Sequence, residues 1–213
     1  MNEDNTKFIF KIITMGSANS GKTMLCNRIC NGYEERGYNP TIGIEFSTKE
    51  MTYQDKNILL QFWDTAGQEC FAPIVKHYYK NIAGVFFVID LTSDFSIKKI
   101  DFWLKEYEKN RNPECETIII ALGNKIDCEE RVISFKDISE IFKKKNIEYR
   151  EISAKNNENI EETVDFFLEK CFNELNIEAH PGIHFRNRER KLVLHKKDRD
   201  SCSYAGTNCC NIS

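Results

Sequence analysis

Apolar and polar positions along this chain follow two periods that take turns. The run KFIFKIITM (7–15) is rich in β-branched and aromatic residues and stops at Gly16, and GKTMLCNRICN (21–31) continues at helical spacing. GIEFSTKEMTY (43–53) and NILLQFWDT (57–65) alternate in period two around Tyr53-Gln54-Asp55-Lys56, which predicts a hairpin. GVFFVIDLT (84–92) and ETIIIALGNKID (116–127) are short, continuously apolar runs, suited to strands covered on both faces. YREIS (149–153) is a weaker last strand, and helical spacing returns at 93–109, 134–146 and 157–175.

Strand alternating with helix predicts an α/β domain. The expectation is a doubly wound, six-stranded, mostly parallel sheet with one antiparallel edge strand and about five helices. Beyond Leu175 the periodicity fades and Pro181-Gly182 opens a polar, charged stretch. The expected division is a globular domain over 1–176 and a flexible tail over 177–213.

Composition narrows the classes. With 41% hydrophobic residues among 213, the chain can bury one sizeable core. A formal net charge of −3 argues against a nucleic-acid binder, although 177–213 carries a surplus of +3 and leaves −6 for the rest. No run reaches the ~18 apolar residues of a membrane span, and MNEDNTK lacks the parts of a signal peptide. Nine cysteines, an odd number without metal-ligand spacing, then read as reduced thiols of a cytosolic protein.

GSANSGKT (16–23) fits the pattern G-x-x-x-x-G-K-[ST] between a predicted strand and a predicted helix. Such a loop turns successive N–H groups toward phosphate oxygens, and the helix behind it adds its positive end. Ser17, Ala18, Asn19, Ser20 and Gly21 supply backbone, as does Met24 in the first helical turn. Lys22 is placed for the β- and γ-phosphates, and the Thr23 hydroxyl for Mg²⁺. An ordinary strand-to-helix turn is the competing reading.

The base is chosen elsewhere. Asn124-Lys125-Ile126-Asp127 closes a buried strand, where open sheets bind ligands. A carboxylate there accepts from the N1–H and exocyclic amine of guanine, whereas adenine would leave the Asp127 charge unpaired. ISAK (152–155) sets Ser153, Ala154 and Lys155 beside the same base. FWDTAGQE (62–69) contributes Asp64 as a Mg²⁺ holder, Gly67 with an N–H open to a γ-phosphate, and Gln68 to orient an attacking water. In NPTIG (39–43), the Thr41 hydroxyl can complete the Mg²⁺ shell from a loop.

Over 8–175 the chain resembles the Ras superfamily of small GTPases, and within it the Rab family, through TIGIEF (41–46), QFWDTAGQE (61–69), YYKNIAGVFFVIDLT (78–92) and the cysteine pair near the end. The resemblance implies a monomeric domain that binds GTP or GDP with Mg²⁺ and hydrolyses GTP slowly, with Gln68, Lys22 and Thr41 as the catalytic set. It implies switch loops at 34–45 and 66–79, the first carrying Tyr38 against the nucleotide. Ile42, Gly43, Ile44, Phe46, Trp63 and Tyr78 would face effectors, plain core packing being the alternative for the aromatics. Further partners implied are an exchange factor, a GTPase-activating protein and a GDP-dissociation inhibitor or escort protein. Cys70 and Lys80-Asn81 depart from the family's usual residues in the second switch.

Ala18 leaves room for hydrolysis, and Tyr38 rather than Arg36 holds the register that a built-in arginine would need. The missing positive charge is therefore expected in trans. The chain ends TNCCNIS, and two thioether-linked lipids on adjacent cysteines would give the two signals that stable membrane attachment needs. The resemblance implies prenyl groups on Cys209 and Cys210, and with them a place on the cytoplasmic face of an endomembrane and a cycle through the cytosol in vesicle traffic. Single prenylation of Cys210 with an acyl group on Cys209 or Cys202 is the second reading. A scaffold of the same fold with little hydrolysis, and a metabolic kinase with the same loop, are the competing classes.

Overall fold

A computed structural model describes residues 6–32, 41, 43–67 and 78–187. The described strands are β1 (Thr6–Met15), β2 (Ile44–Tyr53), β3 (Lys56–Thr65), β4 (Gly84–Asp90), β5 (Ile118–Asn124), β6 (Glu148–Ile152) and β7 (Ile183–Asn187). The described helices are α1 (Lys22–Asn31), α2 (Asp94–Lys98), α3 (Ile100–Asn110), α4 (Phe135–Lys143) and α5 (Ile160–Glu174). The main path of the sheet runs β2-β3-β1-β4-β5-β6, with β7 beside β1. β1 pairs in parallel with β3 and β4, β5 lies parallel to β4 and β6, and β2 runs antiparallel to β3.

β4 and β5 are apolar up to their last residues, Asp90 and Asn124, because both faces are covered. Along β4, Phe86 and Val88 point into one cluster with Leu25 of α1 and Phe167 and Leu168 of α5. Val85, Phe87 and Ile89 point into the other, with Trp103 and Tyr107 of α3 and Ile138 and Phe142 of α4. Gly84 lets α5 close in, since a Cβ there would overlap the Phe167 ring. The β2–β3 turn has the left-handed pair Gln54 (φ 47°) and Asp55 (φ 62°), the geometry of a tight hairpin.

Two expectations change. The helix expected over 93–109 is divided at Lys99, whose N–H is shared between the carbonyls of Phe95 and Ser96 at 3.2 and 3.3 Å, a tightened turn. The buried stripe Ser96, Ile100, Trp103, Tyr107 crosses that break at helical spacing, so the inward face is kept.

The second change concerns the sheet, which among the described residues has seven strands rather than six. β4 meets β1 only over Ile12–Met15, so the Thr6–Phe10 stretch of β1 keeps a free edge that β7 fills in antiparallel register. Unpaired strand-edge groups favour such pairing. The segment is held on the way in: Lys11 N–H donates to Gly182 O at 2.9 Å, Gly182 N–H donates to His180 Nδ1 at 3.0 Å, and Ile183 is buried in the first cluster. Residues 177–187 therefore belong with the domain and are not part of a free tail. The rest of the expected tail, 188–213, lies outside the described residues.

Candidate nucleotide site

The site forms at the carboxyl ends of β1, β3, β4 and β5 and in the loop after β6. Gly16 leaves β1 at φ 138° and passes so close to Val88 O that a Cβ would collide with it. Asn19 (φ 66°) and Gly21 (φ 92°) complete the bend, and α1 starts with Leu25 N–H donating to Gly21 O at 2.9 Å. No side chain caps α1, so its first-turn N–H groups, those of Lys22, Thr23 and Met24, stay open to an anion. The Met24 side chain packs against the first cluster.

Lys22 is 4% exposed, and its Nζ donates to Ser17 O at 2.9 Å and Gly16 O at 3.1 Å. Burial draws its ammonium down to about 8, against the opposing pull of Asp64 and Cys26. Gly67 lies against the loop. A Cβ there would collide with Lys22 Nζ and stand 2.5 Å from Ala18 N, so no larger residue fits.

Asp64, 2% exposed, gathers the hydroxyls. Thr23 Oγ1 donates to its Oδ2 at 2.6 Å, Thr14 Oγ1 to its Oδ1 at 2.9 Å, and Thr41 Oγ1 lies 3.4 Å from Oδ2 and 2.9 Å from Thr23 Oγ1. Burial pushes the Asp64 carboxyl up, opposed by Thr23, Lys22, Thr14 and Thr41. Thr23, Thr41 and Asp64, separate in sequence, meet within hydrogen-bond reach. An all-oxygen set with one buried carboxylate fits a hard divalent cation.

Asn124 joins the phosphate end to the base end. Its Nδ2 donates to Ser20 O at 2.8 Å, and its Oδ1 accepts from Ala154 N–H at 3.0 Å. Lys125, at φ 73°, donates to Asp90 Oδ2 at 2.7 Å. Asp127 Oδ1 accepts from Ser153 Oγ at 2.6 Å, and Lys155 Nζ stands 3.9 Å from its Oδ2. Arg28 reaches from α1 to the carbonyls of Ala154 and Lys155 at 3.0 and 2.6 Å, fixing the last loop.

Phe46 of β2, Trp63 of β3 and Tyr78 adjoin in series as tilted rings, with centroids 5.0 and 5.2 Å apart. Phe46 and Trp63 are register partners; Phe46 is 50% exposed, while Trp63 and Tyr78 are half-buried against the second cluster, so the trio spans surface and core. Gly43 (φ 80°) and Ile44 lead into it, with Ala66 N–H donating to Gly43 O at 2.9 Å. Gln68, Tyr38, Ile42, Cys209 and Cys210 lie outside the described residues, as do Arg36, Cys70 and Cys202.

Sequence reasoning did not name Thr14, Asp90 or Arg28. Asp90 had a signal: like Asp64, it is an acidic residue closing an apolar strand. Thr14 and Arg28 had none, since only the β1–β3 register and the approach of α1 to the last loop give them partners.

Comparison with known proteins gives a family. Residues 11–173 match the model of the Ras family. The Homo sapiens protein named Ras-related protein Rab-30 is 35% identical over 162 residues, 76% of this chain and 79% of the relative. Ras-related protein Rab-4 of Dictyostelium discoideum is 34% identical over 206 residues, 92% of this chain and 97% of that protein. Ras-related protein Rab-4B of Rattus norvegicus is 34% identical over 156 residues, 73% and 72% of the two chains.

Proposed function

The chain belongs to the Ras family, among the Rab proteins, and from that premise we propose a membrane-anchored switch that works by slow GTP hydrolysis in vesicle traffic. As a small GTPase it binds guanine nucleotide and hydrolyses GTP. The observation that supports the site assignment best is the Asn124 bridge, which ties Ser20 of the phosphate loop to Ala154 of the base loop through two hydrogen bonds. One side chain thereby sets the distance between the two ends of a nucleotide.

In this reading the amides of Ser17 to Met24 and the Lys22 ammonium bind the phosphates. Asp127 takes the two guanine donors, with Ser153 and Lys155 holding it in place. Thr23, Thr41 and Asp64 would hold Mg²⁺, which when bound would supply positive charge toward the phosphates. Gln68 orients the attacking water, and Gly67 brings its N–H to the γ-phosphate. Loss of that phosphate releases Thr41 and Gly67, and with them the surface beside Phe46, Trp63 and Tyr78 that effectors take in the GTP state.

Membrane attachment is assigned to prenyl groups on Cys209 and Cys210. Among the described residues no helix is long and apolar enough to cross a membrane. An activating protein supplies charge in trans, typically worth ~10³–10⁵ in rate. Exchange factor, GDP-dissociation inhibitor and escort protein complete the cycle.

Single-turnover hydrolysis tests the switch. Gln68→Leu should hydrolyse GTP at least tenfold more slowly than the unmodified protein when an activating protein is present, and equal rates would remove Gln68 from its role. Intact mass of the protein from native membranes tests the anchor. Two prenyl additions are expected, and an unmodified Cys209-Cys210 pair on membrane-bound protein would refute it.

A further inference from the structure

We propose that Trp103 is a positioning residue of the phosphate loop, holding Ser17 from α3 through a buried hydrogen bond. The inference rests on the reading of 16–23 as a nucleotide loop. The Trp103 indole N–H donates to Ser17 Oγ at 3.2 Å, and both residues are 2% exposed. An indole nitrogen only donates, and when buried it needs an acceptor. Ser17 supplies one across 86 residues of sequence.

Ser17 is the residue on which the loop's own contacts converge. Its carbonyl accepts from Lys22 Nζ at 2.9 Å and from Ser20 N–H at 3.3 Å, and a Cβ on Gly67 would stand 2.6 Å from its carbonyl carbon. A shift of Ser17 therefore moves the lysine, the bend and the second switch's glycine together. Trp103 itself is held fast, packed in the second cluster with Ile13, Met15, Phe87 and Ile89. The bond thus references the loop to the rigid core formed by β1, β4 and α3, outside the loop's own short-range contacts. A loop held in its binding shape before the ligand arrives loses less freedom on binding.

Removing the bond frees the loop to leave that shape and so speeds nucleotide release. A neutral buried hydrogen bond has a net worth of about three- to tenfold in an equilibrium. Trp103→Phe removes the donor while keeping an aromatic ring in the core, and Ser17→Ala removes the acceptor with little change in volume.

The test uses full-length protein loaded with a fluorescent GDP analogue and Mg²⁺, with release followed after excess GDP. Each single substitution should speed release about three- to tenfold, and the double substitution should be no faster than the faster single. Ser17→Thr, which restores a hydroxyl, should release more slowly than Ser17→Ala. The chain has two tryptophans, and the buried indole N–H of Trp63 finds no partner among the described residues. Ser17→Ala should therefore move one indole ¹H–¹⁵N cross peak, that of Trp103, and leave the other in place.

Release at the unmodified rate in Ser17→Ala, multiplying effects in the double variant, or an unmoved Trp103 cross peak would each overturn the proposal. If Trp103→Phe fails to fold, Ser17→Ala and the cross peak still decide. Failure of the unmodified protein to retain GDP would instead overturn the nucleotide reading beneath it.

Discussion

At Asn124 a single amide saturates two loops, and removing it would strand Ser20 O and the Ala154 N–H, both in buried surroundings. Each stranded group costs ~1–3 kcal/mol. Asn124→Ala is expected to lose about 2–4 kcal/mol in urea unfolding of the nucleotide-free protein, and a loss below the error of the measurement would contradict the bridge. Gly67 makes a second residue-scale test. Gly67→Ala places a methyl against Lys22 Nζ and Ala18 N. GTP affinity should fall at least tenfold in titration with a fluorescent analogue, and an unchanged affinity would show that the two segments part freely.

Most of the side chains gathered in the candidate site were legible from sequence. Lys22, Thr23, Asp64, Asn124 and Asp127 stand at spacings that their chemistry requires, so the pattern survives without coordinates. Thr14 was not legible. Its value comes from facing Asp64 in the β1–β3 register, and a threonine inside an apolar run announces nothing by itself.

Among the elements, β7 departs most from its sequence. Its residues IHFRN sit among charges, and the driving force comes from a free edge on β1 that only the unequal lengths of β1 and β4 reveal. Gly182 admits the turn into β7, because a Cβ there would stand 2.6 Å from both Ala83 N and the Ile82 carbonyl carbon. Gly182→Val should detach the strand and raise hydrogen exchange at the Thr6–Phe10 amides that face β7. Unchanged protection there would mean that β1 does not depend on it. The helices were easier to read, since Ser93 and Ser134 are capping residues ahead of apolar stripes, and each accepts a backbone N–H of its helix.

For the whole molecule, the alternation of central strands between two apolar clusters gives a rigid sheet from which every site loop departs. Phe167 closes one of those clusters against Phe10, Phe86 and Gly84. Its truncation, Phe167→Ala, should cost ~3–5 kcal/mol in chemical unfolding, and a loss under 1 kcal/mol would contradict the packing. The fold class was readable because continuous apolar strands and amphipathic helices alternate. The seventh strand was not, because a pairing partner far along the chain decided it.

Guanine selection by Asp127 can be read from nucleotide competition. With Mg²⁺ present and a fluorescent GDP analogue bound, unlabelled GTP and GDP should displace the probe at near-stoichiometric concentrations. ITP, which lacks the exocyclic amine, should need about 10- to 100-fold more, the worth of one hydrogen bond to a charged acceptor. ATP should fail to compete even at thousandfold excess. Displacement by ATP as readily as by GTP would rule out guanine selection by Asp127.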